Sequence, residues 1–289
     1  MKLKLTIFSI AILTLVLVIT TTQALNYQAF KFKNPTELPH EIQPTVILQD
    51  KILIGHIVSV ANDITTNGTD FWIPNQMNSY IYHLNADGEN QSDGFNTSTV
   101  GAMYPVGITT NGTDLWVVGR VTNRIYHFDL TGNFIDSFSL ASSSTGNPTS
   151  VTTDGTYLWV HSLWGDNPHS VSKYDIQGNF INRFSVVNKT NSGRGVTTNG
   201  TDIWTINWNF LLDNTTVTGI HHYDLNGNVI DDPIETKDQF NIPIPYGITT
   251  DKNINHGPVT DFWIVGTEGF GGEYHIFHLI IQYFPLNKL

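Results

Sequence analysis

One nine-residue phrase recurs along the chain at nearly constant spacing, and it restricts the fold more than any other feature. It reads Ile64-Thr-Thr-Asn-Gly-Thr-Asp-Phe-Trp72, Ile108-Thr-Thr-Asn-Gly-Thr-Asp-Leu-Trp116, Val151-Thr-Thr-Asp-Gly-Thr-Tyr-Leu-Trp159 and Val196-Thr-Thr-Asn-Gly-Thr-Asp-Ile-Trp204. A fifth copy opens at Ile248-Thr-Thr-Asp, is interrupted by residues 252–260, and resumes as Asp261-Phe-Trp263. The tryptophans stand 44, 43, 45 and 59 residues apart, and five of the seven in the chain are in register. A period in this range means that one supersecondary unit is repeated, and that each unit buries its faces against its neighbours.

A second phrase says what the unit is. Tyr80-Ile-Tyr-His-Leu-Asn-Ala-Asp-Gly88, Arg124-Ile-Tyr-His-Phe-Asp-Leu-Thr-Gly132, Ser170-Val-Ser-Lys-Tyr-Asp-Ile-Gln-Gly178 and Gly219-Ile-His-His-Tyr-Asp-Leu-Asn-Gly227 follow the first four tryptophans. Tyr274-His-Ile-Phe-His-Leu279 is a shortened fifth copy without the turn. Alternation with period two, β-branched and aromatic enrichment, and Asn-Gly or Asp-Gly between apolar runs are strand and tight-turn signals. Each unit therefore reads as four antiparallel strands. Strand a is Ile/Val-Thr-Thr, b carries the tryptophan, c the aromatic pair, and d follows the second turn, as in Phe134–Leu140. Units of this length and strand count predict an all-β chain folded as a β-propeller of five blades. A sixth blade, built from residues 26–60 and the C-terminal tail, is the alternative. Lys51–Val60 precedes the first strand a as a strand d would, and the fifth unit lacks one of its own. This N-terminal strand is expected to complete the last sheet and remove two exposed edges.

The phrase Gly107–Trp116, with Arg124-Ile125 and the following Asp-x-x-Gly, resembles blades of the NHL-repeat, virginiamycin B lyase-like and gluconolactonase-like propellers. The resemblance covers residues 60–279 and concerns the fold; such propellers include enzymes, ligand binders and adhesion modules. A lyase-like member implies acidic and histidine residues on the rim after strand b. The four residues after each Trp are here Ile-Pro-Asn-Gln, Val-Val-Gly-Arg, Val-His-Ser-Leu, Thr-Ile-Asn-Trp and Ile-Val-Gly-Thr, with one histidine and no carboxylate. A gluconolactonase-like member implies a divalent cation near the axis, held by an acidic residue with Asn and Asp, and no such set is matched.

Composition limits the partners. A formal charge of −11 argues against nucleic acid, and the absence of cysteine excludes disulfides, thiolate catalysis and cysteine-ligated metals. Residues 1–24 run from a basic start through the apolar Leu5–Ile19 to small residues ending at Ala24, the order of a secretory signal peptide. The chain divides into this leader, an N-terminal extension at 25–50 and a propeller at 51–289. No membrane span is expected after leader removal, and the protein is expected to be secreted or held at the cell surface. Asn90, Asn96, Asn188 and Asn214 are sequons in loops, open to glycosylation if the host modifies exported proteins.

In a propeller the a–b and c–d turns emerge on one face, and the longer d–a and b–c loops on the other. The turn face is nearly invariant for reasons of turn geometry, so a site belongs on the loop face. There the b–c loops bring Met77, Arg120, Trp164, His169 and Trp208, and the d–a loops bring Tyr104, Arg194 and Tyr246. Trp164 and Trp208, the two tryptophans outside the register, are expected on one rim. Indole faces beside polar groups suit a sugar ring. The sequence thus points to an exported module binding an extracellular glycan or protein, without a cofactor. The alternatives are a metal-dependent lyase or lactonase-like hydrolase, with His161 or His169 and Asp166 as conceivable cation ligands, and a structural component of the cell surface or matrix. His83, His127, His222 and Lys173 share one position in strand c and read as part of the repeat.

Overall fold

The computed structural model describes residues 42–140, 146–164, 169–186, 193–208, 218–250, 259–269 and 271–285. They form five four-stranded antiparallel sheets. The first blade is β2 (Thr65–Thr66), β3 (Asp70–Asn75), β4 (Tyr80–Asn85) and β5 (Phe95–Asn96); the second is β6 (Pro105–Thr110), β7 (Asp114–Gly119), β8 (Arg124–Asp129) and β9 (Phe134–Ser139). The third is β10 (Gly146–Thr153), β11 (Tyr157–Trp164), β12 (Ser170–Asp175) and β13 (Phe180–Ser185); the fourth is β14 (Gly193–Thr198), β15 (Asp202–Asn207), β16 (Gly219–Asp224) and β17 (Ile234–Glu235). The fifth joins β18 (Ile244–Thr250), β19 (Val259–Thr267) and β20 (Tyr274–Pro285) to β1 (Ile42–Leu53) from the other end of the chain. The inner strands touch around the ring, β18 meeting β2. The fold is a five-bladed propeller.

The closing strand is nine residues earlier than its expected start at Lys51. β1 pairs with β20 from Ile42↔Pro285 to Leu53↔His275, so residues 42–50 are part of the propeller and not an extension. The run after it is apolar for another reason. Ile54, Val58 and Ala61 are fully buried and fill the junction between the fifth and first blades.

The turn phrase is explained by its own hydrogen bonds. Asn67 Oδ1 accepts from the Thr69 and Asp70 N–H groups at 3.0 and 2.8 Å, and Thr66 Oγ1 accepts from Gly68 N–H while donating to the Asp70 carbonyl. Residues 110–114 and 198–202 repeat this pattern, and Asp154 replaces the asparagine in the third blade. Gly112, at φ 95°, occupies the left-handed region that a residue with a side chain rarely enters.

The tryptophans seed the junctions. Trp72 packs with Ile108, Leu115 and Val117 of the next blade, Trp116 with Val151, Leu158 and Val160, Trp159 with Val196 and Ile203, and Trp204 with Ile248, Phe262 and Ile264. Trp263 closes the ring against the cluster of Ile64, Phe71 and Ile73. In four blades the indole also stacks on a strand-c histidine (His83, His127, His222 or His278), with ring centroids 4.4–4.8 Å apart and planes within 14°. Each of these histidines faces the aspartate of the turn phrase; His83 and His222 also bond an aspartate just before strand d, Asp93 at 2.6 Å and Asp231 at 2.9 Å. The third blade has Tyr157 where the others have that aspartate, and Lys173 where they have the histidine. Lys173 Nζ instead lies 3.6 Å from the Tyr157 ring centroid and 5.0 Å from that of Trp159. A cation over π-faces replaces the imidazole stack.

Candidate functional site

Four of the five inner strands carry a bulge at the same level, at Pro105/Gly107, Pro148/Ser150, Gly193/Gly195 and Pro245/Gly247. A bulge sets two residues against one on the partner strand and re-aims a side chain. The residue after the bulge meets the axis: Gly107, Ser150, Gly195 and Gly247, with Asp63 at the corresponding place in the first blade. Asp63 Oδ1 accepts from Ile64 N–H at 3.0 Å; Oδ2 accepts from Ile108 N–H at 3.2 Å and from the Ser150 hydroxyl at 2.7 Å; Ile248 N–H is a fourth donor. Ser150 Oγ in turn accepts from Val196 N–H at 3.1 Å. One carboxyl and one hydroxyl thus tie all five blades together. Space at the axis admits nothing larger: a Cβ on Gly247 would lie 2.4 Å from Asp63 Cα, and one on Gly107 2.7 Å from Ser150 Cα. Burial pushes the Asp63 carboxyl well above the usual carboxylate range, against the pull of its donors.

The bulge residues Thr149, Arg194 and Tyr246 stand one step nearer the loop face. Arg194 lies with its Cζ 5.6 Å from the Trp208 ring centroid and 5.7 Å from that of Tyr246. Tyr246 stacks obliquely on Tyr274 at 5.4 Å and shares a hydrogen bond with it. Burial, chiefly, holds the Tyr274 phenol well above its ordinary range, so it is a neutral hydroxyl at physiological pH. Burial also lowers the Arg194 guanidinium, whose Nε has no hydrogen-bond partner. Among the described residues the charged and phenolic groups that act on Arg194 are Tyr246, Arg120 and Tyr274, with no carboxylate among them. Arg120 is held from the second blade, where its Nε donates to Asn147 Oδ1 at 2.8 Å. Asn147 sits at φ 61°, and Tyr104, whose carbonyl accepts the Arg120 N–H, at φ 54°.

A second group flanks Arg194. His161 is completely buried, and Thr149 Oγ1 lies 2.8 Å from its Nδ1. Burial, with the His169 ring nearby, lowers His161 to about 3, so the imidazole is neutral. His161 Nε2 and His169 Nδ1 are both buried without partners. Both face Gly193, where an added Cβ would lie 2.6 Å from the first and 3.1 Å from the second.

The structure thus brings together Arg120, Arg194, Trp208 and Tyr246 of the residues singled out in the sequence, with Tyr104 and His169 at their border. Trp208 is buried under Arg194 and does not stand free on the rim. The backbone of Trp164 ends β11 opposite Gly146. Sequence reading passed over Asp63, Tyr274, Asn147 and Thr149. It could have weighted His161 more: two residues after the register tryptophan the other blades carry Pro74, Val118, Ile206 and Val265, so a histidine there breaks an apolar position. Among the described residues no three His, Cys, Asp or Glu side chains form a set able to hold a metal ion. Asp166, conceived as a cation ligand, lies outside the described residues, as do Asn188, Asn214 and the leader at 1–24. Asn90 and Asn96 are exposed. Among the described residues no helix is long and apolar enough to cross a membrane.

No protein-family model matches the chain, and no characterised protein matches it in sequence. Solved structures do match in shape. Glutaminyl cyclase of Myxococcus xanthus is similar over 84% of this chain and 97% of its own, at 9% identity and a TM-score of 0.59. Virginiamycin B lyase of Staphylococcus aureus is 20% identical, covering 75% of this chain and 64% of its own, with a TM-score of 0.46. A streptogramin B lyase is 15% identical over 88% and 90% of the two chains, with a TM-score of 0.45. The neighbours therefore include the lyase-like propellers that the repeat phrase resembles, and at these identities the likeness is one of fold.

Proposed function

We propose that this chain is an exported propeller that binds a glycan or protein ligand on its loop face. The observation supporting this most is the convergence there of side chains from neighbouring blades, Arg194 and Trp208 from the fourth with Tyr246 and Tyr274 from the fifth. Arg194, Trp208 and Tyr246 stand outside the two repeat phrases, Tyr274 opens the shortened fifth copy of the second, and the axial clamp beneath them holds the ring without their help. Flat aromatic faces beside hydroxyls and a guanidinium favour a saccharide over an extended peptide, since a sugar offers a C–H face to a ring and hydroxyls to polar groups. A glycan microarray probed with the parent protein and with Tyr246→Ala tests the reading. Spots bound by the parent and lost in the variant are expected. Binding unchanged by Tyr246→Ala would move the site elsewhere. Export is tested separately by fractionating cells that express the full chain.

A second reading, a propeller enzyme, draws support from one feature. His161 and His169 turn unpartnered nitrogens toward a single point beside Arg194, an arrangement able to hold a water or accept a proton. Turnover of any bound ligand, abolished by His169→Gln with binding retained, would favour it. Loss of turnover on chelation would favour its metal-dependent form.

A further inference from the structure

We propose that the group recognised on the loop face is a carboxylate carried by a glycan, received by Arg194 and Arg120; this rests on the ligand-binding reading above. The chain is acidic overall, with 25 Asp and Glu against 14 Lys and Arg. Two arginines nonetheless stand toward the loop face, Arg194 between Trp208 and Tyr246 and Arg120 bonded to Asn147, and the charge of Arg120 works against that of Arg194. Neither forms an ion pair among the described residues, whereas Lys51 pairs with Glu268 at 2.6 Å. A cation removed from water without a counter-charge is costly, and folded proteins tolerate one mainly where a ligand supplies the charge.

The surroundings fit an anion better than a neutral ring alone. Trp208 and Tyr246 flank Arg194, leaving its N–H edge as the part able to bond, and its Nε is buried without an acceptor. Arg120 is fixed through Nε by Asn147, so its other N–H groups are oriented before any ligand arrives. Two forks held in this way match the two oxygens of a carboxylate. The Tyr274 hydroxyl is neutral, held by Tyr246 and the Ala61 backbone, and with the neutral His161 and His169 it adds no negative charge. The aromatic faces beside the forks distinguish a sugar acid from a free anion.

The test uses the purified protein on a microarray of oligomers of galacturonic, glucuronic and mannuronic acid, their methyl esters, neutral hexose oligomers and acidic peptides. Esterification removes the charge and leaves the ring unaltered. Binding to one or more uronates is expected, at least about tenfold weaker for the matching ester and weaker with added salt. Arg194→Met should abolish it. Arg120→Gln, at a half-buried position outside the stacked cluster, should weaken it about tenfold, and this second variant keeps the test valid if the first perturbs folding. Acid and ester bound equally, or neutral hexoses preferred, would overturn the carboxylate inference and leave glycan binding standing. Binding to acidic peptides and to no uronate would overturn the glycan assignment. Silence on every spot would remove the binding reading itself.

Discussion

Asp63 is where a single substitution should test the architecture most sharply. Asp63→Ala leaves four buried donors without an acceptor: the N–H groups of Ile64, Ile108 and Ile248, and the Ser150 hydroxyl. Each orphaned buried group costs about 1–3 kcal/mol. Water entering the vacated space, and release from the cost of burying a carboxyl, offset part of the sum, so a net loss of about 4 kcal/mol is expected. For a chain of this size that corresponds to about 8–16 °C in melting temperature. Ser150→Ala removes one donor to Asp63 and orphans Val196 N–H, so it should cost about half as much. The dependence on pH has a definite sign. The folded carboxyl titrates above its unfolded counterpart, so its contribution is complete below about pH 4 and declines as pH rises toward the folded value. Thermal melts of parent and Asp63→Ala should therefore differ more at about pH 4 than at about pH 8. A difference under about 2 °C at every pH, or one that widens as pH rises, would refute the axial clamp.

His161 titrates near 3 in the folded protein against 6.5 in the free side chain, so its contribution is intact above about pH 6.5 and lost as pH falls toward 3. His161→Val, the residue of the second and fifth blades at that register, should therefore spare about 3 kcal/mol of the parent's loss between pH 7 and pH 4 in urea melts. Tyr157→Asp with Lys173→His should rebuild in the third blade the imidazole stack of the other four. Each single change should destabilise, and the double variant should recover about 1 kcal/mol relative to their sum, a coupling read from a double-mutant cycle. Arg194→Met should leave the melting temperature unchanged or raise it by a few degrees, since it removes a buried cation that has no counter-charge among the described residues. A large fall would mean that the guanidinium has a structural partner.

What could be read in the sequence follows the range of the forces involved. The turns were legible because their chemistry is local: Asn67, Thr66 and Asp70 satisfy one another within five residues, and the same solution repeats wherever the turn repeats. The tryptophan register was legible because each junction presents its indole with the same apolar slot. The closing strand was set nine residues late because apolar alternation cannot tell a strand from a connection that fills a junction, and Ile54 and Val58 do the latter. Asp63 was hidden for the opposite reason. Apart from the adjacent Ile64 its partners lie 45 or more residues away, and its meaning emerges only when the five inner strands are laid side by side. There the sequence reads Asp, Gly, Ser, Gly, Gly, one acid among residues chosen for their small size. The candidate site has the same character: Arg194, Tyr246 and Thr149 are ordinary residues in a linear text until a shared bulge sets them on one level. A fivefold array makes its scaffold by repetition and its individuality by the departures from it. Aligning the five units on their tryptophans and reading where they disagree at the inner-strand bulge and two residues past the indole would have marked Asp63, Arg194 and His161 before any coordinates, because symmetry-related positions share every structural demand and differ only where one blade does something the others do not.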